Sequence, residues 1–211
     1  MYRTKIQCLR LQLIPVPLRL SSGLVAILMI FGLTMTHANA AEQPIDNLAE
    51  HRAQWQAVTD QVMGGVSAME LQVQNDGEAS FYRMTGSVST ANNGGFIQFR
   101  TRTAVADPSL DAIKVKVRGN GERYYVHLRT KGLMFPWSYY AADFVATSEW
   151  QTIVLPFSQF AKSSRFMSKR LDPNAIQTLG IVAYGRDHEA ALDVASVSFV
   201  RTNVVAARPE K

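Results

Sequence analysis

The stretch Ile113-Lys114-Val115-Lys116-Val117-Arg118 is the clearest structural signal in this chain. Its apolar residues alternate strictly with basic residues, which is the pattern of a β-strand with one buried face and one solvated face. Gly119-Asn120-Gly121 then predicts a turn, and the run Tyr124-Tyr125-Val126-His127-Leu128-Arg129 predicts a second strand. We expect the two strands to pair as a hairpin.

Further short runs on both sides of this segment also predict strands. They lie at residues 71–73, 79–84, 95–101, 138–144, 152–155, 178–183 and 193–200. Helical signals are few: Asp172-Pro173 predicts a single helical turn through Ile176, and Asp46 predicts the cap of a short helix through Gln54. Many short strands with regular turns and few helices predict an all-β sandwich with one or two short helical turns.

Residues 1–40 have the features of a secretory signal peptide. Four basic residues are followed by an apolar run at residues 20–33, and Ala38-Asn39-Ala40 supplies a small-x-small cleavage pattern. The apolar run is short compared with the ~20 residues of a membrane-spanning helix, which favours cleavage over a membrane anchor. The only cysteine, Cys8, precedes the apolar run, which argues against a lipoprotein. We expect an exported protein, in a bacterial periplasm, with no stable membrane span after cleavage.

Removal of the signal peptide changes the charge of the chain. The full chain of 211 residues has 22 basic and 17 acidic residues and a formal net charge of +5. Without residues 1–40, 18 basic residues remain against the same 17 acidic ones, a charge of +1. This balance excludes an argument for nucleic-acid binding from basicity. We expect a lead-in at residues 41–54, one sandwich domain at residues 55–205 without cysteine, and a flexible tail at residues 206–211.

Two glycine doublets stand in predicted turns. The run from Thr59 to Ser67 contains Gly64-Gly65, and Asn93-Gly94-Gly95 precedes an apolar strand. Adjacent glycines permit unusual dihedral angles and close approach of another segment. Asp60 either presents its carboxylate to a ligand or accepts backbone N–H bonds within the turn, and turn chemistry favours the second interpretation. We therefore interpret one set of residues as architectural: Asp60, Met63, Gly64, Gly65, Asn93, Gly94 and Gly95.

Four groups of residues follow one another in order along the chain. They are Trp55, Asp60, Val62-Met63-Gly64-Gly65 and Ser67; Gly86, Gly94-Gly95-Phe96 and Phe99-Arg100; Trp150, Leu155-Pro156-Phe157 and Phe160; and Leu171-Asp172, Ile176 and Leu179-Gly180. These groups resemble the sequence blocks of the complex I intermediate-associated protein family, the thirty-kilodalton assembly factors. The resemblance covers the chain from Trp55 to Phe199.

The resemblance implies a galactose-binding-like β-sandwich, or jelly roll. It also implies a non-enzymatic protein, because the best-studied members assist the assembly of respiratory complex I in mitochondria. This chain departs from those members in carrying an export signal rather than a mitochondrial transit peptide. The protein partner that we expect therefore belongs to the membrane or envelope.

Two predicted strands carry polar side chains on their outer faces. If the alternating apolar residues face the core, four residues suited to binding a carboxylate, a sugar or a polar peptide point outward: Gln98, Arg100, His127 and Arg129. The alternative is an ordinary solvated face, which is the default for antiparallel sheets. The sequence does not tell whether the two strands are neighbours.

An aromatic run at residues 135–140 offers a second candidate surface. In one interpretation Trp137, Tyr139 and Tyr140 form a platform that stacks on sugars or an interaction patch. In the other, Trp137 and one tyrosine close the end of the sandwich. Four further aromatic residues are expected in the core: Trp55, Trp150, Phe157 and Phe160.

Catalytic motifs are lacking. The histidines at 51, 127 and 188 have no zinc-ligand spacing, and neither Gly-x-Ser-x-Gly nor a phosphate-binding glycine loop occurs. We therefore expect a protein that is not an enzyme and that has no cofactor and no metal. The first hypothesis is an exported binding module, an assembly factor or chaperone acting through protein–protein contacts. The alternative is a carbohydrate-binding module of the cell envelope, and an unrecognised enzyme ranks last.

Overall fold

Twelve β-strands form two antiparallel sheets in the computed structural model, which describes residues 41–77, 79–135 and 137–202. The strands are β1 (Glu42–Asp46), β2 (Gln56–Thr59), β3 (Ala68–Asn75), β4 (Ser80–Val88), β5 (Phe96–Arg102), β6 (Ala112–Gly119), β7 (Arg123–Thr130), β8 (Tyr140–Val145), β9 (Gln151–Pro156), β10 (Ala161–Lys162), β11 (Ile176–Tyr184) and β12 (His188–Val200). Short 3-10 helices lie at Asp60–Met63, Ala91–Asn93, Phe157–Gln159 and Pro173–Ala175. The predicted signal peptide and the predicted tail lie outside the described residues.

Each sheet contains six strands. Sheet A has the order β3-β4-β12-β6-β9, and β1 pairs with the end of β12. Sheet B has the order β10-β8-β7-β11-β5-β2. The apolar faces of the two sheets enclose the core, and residues of β6 and β7 such as Val115, Val117, Val126 and Leu128 are fully buried in it. The predicted all-β sandwich is confirmed.

The predicted hairpin between β6 and β7 is wrong. Strand β6 pairs with β9 and β12 in sheet A, whereas β7 pairs with β8 and β11 in sheet B. The turn at Gly119–Gly121 carries the chain from one sheet to the other. Two hydrogen bonds hold this turn, from Gly119 N–H to Thr147 O at 2.6 Å and from Gly121 N–H to Ala146 O at 2.8 Å. Alternation indicates which face of a strand is buried, but it does not indicate the neighbouring strand.

The helix predicted between Asp46 and Gln54 is also absent from the described residues. This part of the lead-in instead contains β1, which joins sheet A. The capping ability of Asp46 is used in an irregular loop: its carboxylate accepts the Leu48 N–H at 2.9 Å, the Ala53 N–H at 2.7 Å and the Trp55 indole N–H at 2.8 Å. In contrast, the helical turn predicted after Asp172 is confirmed, with the Asp172 carboxylate accepting the Asn174 N–H.

The four aromatic residues expected in the core have different environments. Phe157 and Phe160 are buried in it, and Trp55 packs against its edge, 4.9 Å from Phe99 between ring centroids. Trp150 is half-buried on the outer face of sheet A, where it packs against Phe81 at 5.5 Å and beneath the Arg118 guanidinium at 4.5 Å. The core prediction for Trp150 is therefore wrong, because its ring packs against Phe81 and Arg118 rather than in the core between the sheets.

Candidate binding groove

Strands β5, β11 and β7 lie side by side, which settles whether the two polar strands share a face. Gly180 of β11 pairs with Arg100 of β5 on one side and with His127 of β7 on the other. In the adjacent rows, Val182 pairs with Gln98 and Thr178 pairs with Arg129. The predicted residues Gln98, Arg100, His127 and Arg129 therefore project from one outer face of sheet B.

This face is the floor of a groove with a volume of about 730 Å³. Gly180 keeps the centre of the floor low, since it has no side chain between Arg100 and His127. Val62 and Met63 form one edge of the groove. Trp137 and Tyr139 line it from the loop that leads into β8, and Ser163 and Ser164 line it from the segment after β10. The groove thus brings together six of the seven residues predicted for binding. Sequence analysis did not identify Val62, Met63 and Tyr184 as parts of this site.

The aromatic side chains of the groove are packed against one another. The His127 and Tyr139 rings are stacked, with centroids 3.9 Å apart and planes 12° apart, and Tyr184 meets His127 edge-on at 6.0 Å. Burial lowers the pKa of His127 to about 4 and raises the pKa of Tyr139, with a further contribution from Tyr184. His127 is therefore neutral at pH 7, and its ring packs against Tyr139 without adding charge to the groove.

Tyr140 is the exception among the predicted binding residues. Its side chain is only 3% exposed and belongs to the core, and its hydroxyl donates to Ser168 O at 3.1 Å. Successive residues of an extended chain point to opposite faces, so Tyr139 reaches the groove while Tyr140 points inward. The prediction of Tyr140 as a binding residue is wrong. One tyrosine of the aromatic run closes the sandwich, but Trp137 remains exposed and stacks on Phe135, with centroids 5.1 Å apart.

Asp60 joins the two glycine turns beneath one edge of the groove. Its fully buried carboxylate accepts the backbone N–H of Ser67 at 2.9 Å and that of Gly95 at 2.6 Å, and also the Ser67 hydroxyl. A Cβ atom added to Gly65 or Gly94 would lie 2.4 Å from a carboxylate oxygen of Asp60. Burial acts to raise the pKa of Asp60, but the hydrogen bonds from Gly95 and Ser67 hold it below its usual range. This is the geometry of an architectural carboxylate.

A sequence profile described as complex I intermediate-associated protein 30 matches residues 45–194. The chain belongs to this family. The match confirms the resemblance drawn from the four ordered groups of residues. No curated protein sequence matches the chain.

Solved structures with the same fold include carbohydrate-binding modules of Clostridium thermocellum. A family 11 module of a cellulosomal cellulase is 14% identical and has a TM-score of 0.61, with 77% of this chain and 95% of that chain covered. A family 11 module in complex with a β-1,3-1,4-mixed-linked tetrasaccharide gives 15% identity, a TM-score of 0.60 and coverages of 75% and 95%. A family 30 module is 11% identical, with a TM-score of 0.56 and coverages of 77% and 99%. These similarities show that the complex I intermediate-associated protein 30 domain and the sugar-binding modules share a fold.

The turn formed by Asp60–Met63 and Gly64-Gly65 has two sides with different properties. The buried side carries Asp60 and Gly65, whereas Val62 and Met63 are among the most exposed large apolar residues of the described chain. The expectation that Met63 is architectural is therefore wrong: its side chain lies at the edge of the groove. A signal was present in the sequence, because Val62-Met63 lies between Asp60, a turn-forming residue two positions before Val62, and the glycines Gly64-Gly65. Apolar side chains in such a turn have little core to enter.

A second cavity of about 810 Å³ adjoins the groove. Its distinguishing feature is four arginines, which are Arg52, Arg100, Arg102 and Arg129. Arg100, Arg129 and Thr178 line both cavities, so the two are continuous along sheet B. We refer to this second cavity as the arginine cavity.

Two further observations concern membranes and metals. In the part of the chain that the structure describes, no helix has the length and apolar content needed to cross a membrane. Within the same residues, no three histidine, cysteine or acidic side chains lie close enough together to hold a metal ion.

Proposed function

We propose that this protein is an exported, non-enzymatic binding module that acts through protein–protein contacts in the assembly or maturation of a complex of the cell envelope. The observation that carries the proposal is the apolar rim of the groove. Val62, Met63 and Trp137 are 73%, 61% and 67% exposed, and they stand on opposite sides of the polar floor. Aliphatic side chains gain free energy when they bury apolar surface of a protein partner, at about 25 cal/mol per Å², and they offer little to the hydroxyl groups of a sugar.

The apolar surface continues beyond Trp137. Phe135 stacks on Trp137, and Phe166 meets Phe135 edge-on with centroids 6.1 Å apart. Phe166 and Met134 are both exposed. Contiguous exposed apolar surface is typical of interaction sites, and aromatic residues and methionine are enriched in protein interfaces. The rim and this extension together offer a partner a surface larger than the groove itself.

The opposite edge of the groove is rigidly supported. Asp60 fixes the turn that carries Val62 and Met63 through hydrogen bonds to two separate segments of chain. Side chains displayed on a fixed backbone lose less conformational entropy on binding. This arrangement suits recognition of a partner by a preformed surface.

The chemistry of the groove supports binding rather than catalysis. His127 is the one histidine in the lining of the groove. Its pKa of about 4 makes it a poor general base at neutral pH, and Tyr139 covers its ring. Membership of the complex I intermediate-associated protein 30 family supports an assembly role, and residues 1–40 support export, which together favour a partner in the envelope.

Affinity capture from the native envelope tests the proposal. The wild-type protein should retain a defined set of envelope proteins, and the Met63→Ser/Trp137→Ser variant should lose them. Val73→Ser is the matched control, because Val73 is equally exposed but lies on β3 of the other sheet. Equal capture by the rim variant and the wild type would contradict the proposal. Deletion of the gene should also change the pattern of envelope complexes on native gels.

A carbohydrate ligand is the second candidate function. The observation in its favour is the stack of His127 and Tyr139 beside Tyr184, since aromatic rings next to polar groups such as Gln98 suit a sugar. One solved structure with this fold is a module in complex with a tetrasaccharide. A glycan array separates the candidates: binding that Trp137→Ala abolishes, without any captured protein, would favour the sugar.

A further inference from the structure

Four arginines project into the arginine cavity from three sides. Arg100 and Arg102 alternate along β5 and therefore point to the same face. Arg129 faces them from β7, since Thr178 of the intervening β11 pairs with Arg102 on one side and with Arg129 on the other. Arg52 closes the cavity from the loop before β2. The result is a concentration of positive charge next to the groove and its apolar rim.

This charge has no counterpart within the described residues. Neither cavity has an aspartate or a glutamate in its lining. The ion pairs observed in those residues involve Lys114 and other arginines of the chain. The Nε atom of Arg129 is buried without a hydrogen-bond partner in the protein, and Arg100 has only a long contact of 3.5 Å from its Nη2 atom to Gln56 Oε1. A buried guanidinium N–H without an acceptor is unfavourable.

Two arginines on the opposite sheet, Arg83 and Arg118, offer a comparison, because both are paired with carboxylates of the chain itself. On the outer face of sheet A, Arg83 and Arg118 converge on the buried carboxylate of Asp193. Arg118 also pairs with Asp76. Each of these guanidinium groups has a carboxylate partner from the chain itself. The arginine cavity differs because its lining contains no carboxylate, and the acceptors that the chain supplies there are the Leu48 carbonyl for Arg52 at 3.2 Å and the Gln56 amide oxygen for Arg100 at 3.5 Å.

Burial of Arg129 and its repulsion by Arg100 both disfavour the charge of Arg129. Burial, and then the positive charge of Arg100, lower the pKa of Arg129. Arginine keeps its proton under all ordinary conditions, so loss of a proton does not relieve the repulsion between Arg129 and Arg100. Guanidinium groups bind carboxylates through two parallel hydrogen bonds, and such pairs are among the strongest polar contacts in proteins.

We propose that the arginine cavity binds the acidic side chains of a partner polypeptide whose apolar side chains rest on the rim of the adjoining groove. The inference rests on the proposed function, because it takes the ligand to be a protein segment. Arg100 and Arg102 lie about 7 Å apart along β5, which is the spacing of residues two apart in an extended chain. An extended segment with acidic residues at alternate positions would therefore match both arginines, while residues further along reach Met63 and Trp137 through the continuous floor.

Fluorescence anisotropy with two labelled peptides tests this inference. One peptide alternates leucine with glutamate, and the other has glutamine in place of every glutamate. The glutamate peptide should bind the purified protein, and its affinity should fall about tenfold or more in the Arg100→Gln/Arg129→Gln variant, as expected when charge-assisted hydrogen bonds are lost. The glutamine peptide should bind weakly to both proteins. Binding of the glutamate peptide should also weaken with added salt.

A matched control separates a specific site from a loss of net charge. The Lys169→Gln/Arg170→Gln variant removes the same charge from exposed positions that line neither cavity, and it should bind the glutamate peptide as the wild type does. Circular dichroism should show that all variants are folded. Equal affinity for the two peptides, or equal loss in both double variants, would overturn the inference.

Failure of this inference can be distinguished from failure of the proposed function. If the rim variant loses its captured proteins while Arg100→Gln/Arg129→Gln retains them, the protein-binding function stands and the acidic-segment inference is overturned. If polygalacturonate binds with the same dependence on the arginines while the glutamate peptide does not bind, the site takes an acidic sugar and the inference is again overturned. Loss of captured proteins in both variants supports both proposals.

Discussion

Asp60 accepts the backbone N–H of Gly95 at 2.6 Å, although the two residues are separated by 35 positions in the chain. Through this bond and the bonds from Ser67, one buried carboxylate joins the turn at Asp60–Met63 to the start of β5. Gly65 and Gly94 leave the space that the carboxylate occupies. The two glycine doublets are therefore parts of one structural unit, and this unit holds Val62 and Met63 at the edge of the groove.

Substitution of Asp60 should strongly destabilise the domain. Asp60→Ala leaves the N–H groups of Ser67 and Gly95 buried without acceptors, and each such group costs about 1–3 kcal/mol. We expect a decrease of about 3 kcal/mol or more in the free energy of unfolding, measured by urea titration. A change below about 1 kcal/mol would show that the carboxylate does not hold the two turns together.

The glycines around Asp60 should differ from one another in their tolerance of alanine. In Gly65→Ala the new Cβ meets the Asp60 carboxylate at 2.4 Å, and overpacking of this kind typically costs 1–3 kcal/mol. Gly64 has a φ angle of +90° but no atom within 4 Å of the added Cβ, so Gly64→Ala should lose only about 1 kcal/mol from backbone strain. Urea unfolding of both variants measures the difference, and an equal loss would contradict the close packing at Gly65.

The burial direction of each strand could be predicted from the sequence, but its neighbours could not. In β6 and β7, alternation of apolar and polar residues correctly indicated the buried faces, because alternation follows from the geometry of a single strand. The pairing was wrong because a turn such as Gly119–Gly121 serves equally well to join strands within one sheet or across two. Partner choice depends on contacts with β9, β11 and β12 that are distant in sequence.

The candidate site was predictable to a similar degree. Residues on regular strands, such as Arg100 and His127, were assigned to the correct face. The errors at Met63 and Tyr140 fall in a turn and at the start of β8, where side-chain direction depends on the local path of the backbone rather than on a repeating pattern. The arginine cavity was not predicted because Arg52 and Arg102 approach Arg129 only when β2, β5, β11 and β7 assemble.

Two aromatic residues that lie close together in sequence should respond differently to alanine. Tyr140 is buried in the core and Trp137 is exposed at the rim. Tyr140→Ala should lower the free energy of unfolding by about 3–5 kcal/mol, as is usual for large core residues, whereas Trp137→Ala should change it by about 0.5 kcal/mol or less. Thermal unfolding followed by circular dichroism measures both, and a large loss in Trp137→Ala would place that ring in the core instead.

His127 should make the stability of the domain depend on pH between about 6.5 and 4. Its pKa is about 4 in the folded protein, below the value of 6.5 for an unperturbed histidine, because burial disfavours the charged ring. The unfolded chain therefore binds a proton first as the pH falls, and up to about 3 kcal/mol of stability is lost between pH 6.5 and pH 4. His127→Gln should remove this part of the pH dependence.

Urea unfolding at several pH values measures that effect. His51→Gln is the matched control for the loss of a histidine side chain, because His51 is exposed. A His127 ring that titrates near pH 6.5 in an NMR experiment would contradict the burial on which the prediction depends.

Gly180 offers a steric test of the groove that leaves its charged and aromatic groups in place. A Cβ at this position would point into the groove, 3.1 Å from the end of the Gln98 side chain and 3.6 Å from Arg100 Cβ. Because a long, flexible side chain can move aside, Gly180→Ala should change the free energy of unfolding by less than about 1 kcal/mol. Gly180→Val would raise the floor further. Capture of envelope proteins should therefore fall from the wild type to Gly180→Ala and again to Gly180→Val, and undiminished capture by both folded variants would show that the partner does not reach the floor of the groove.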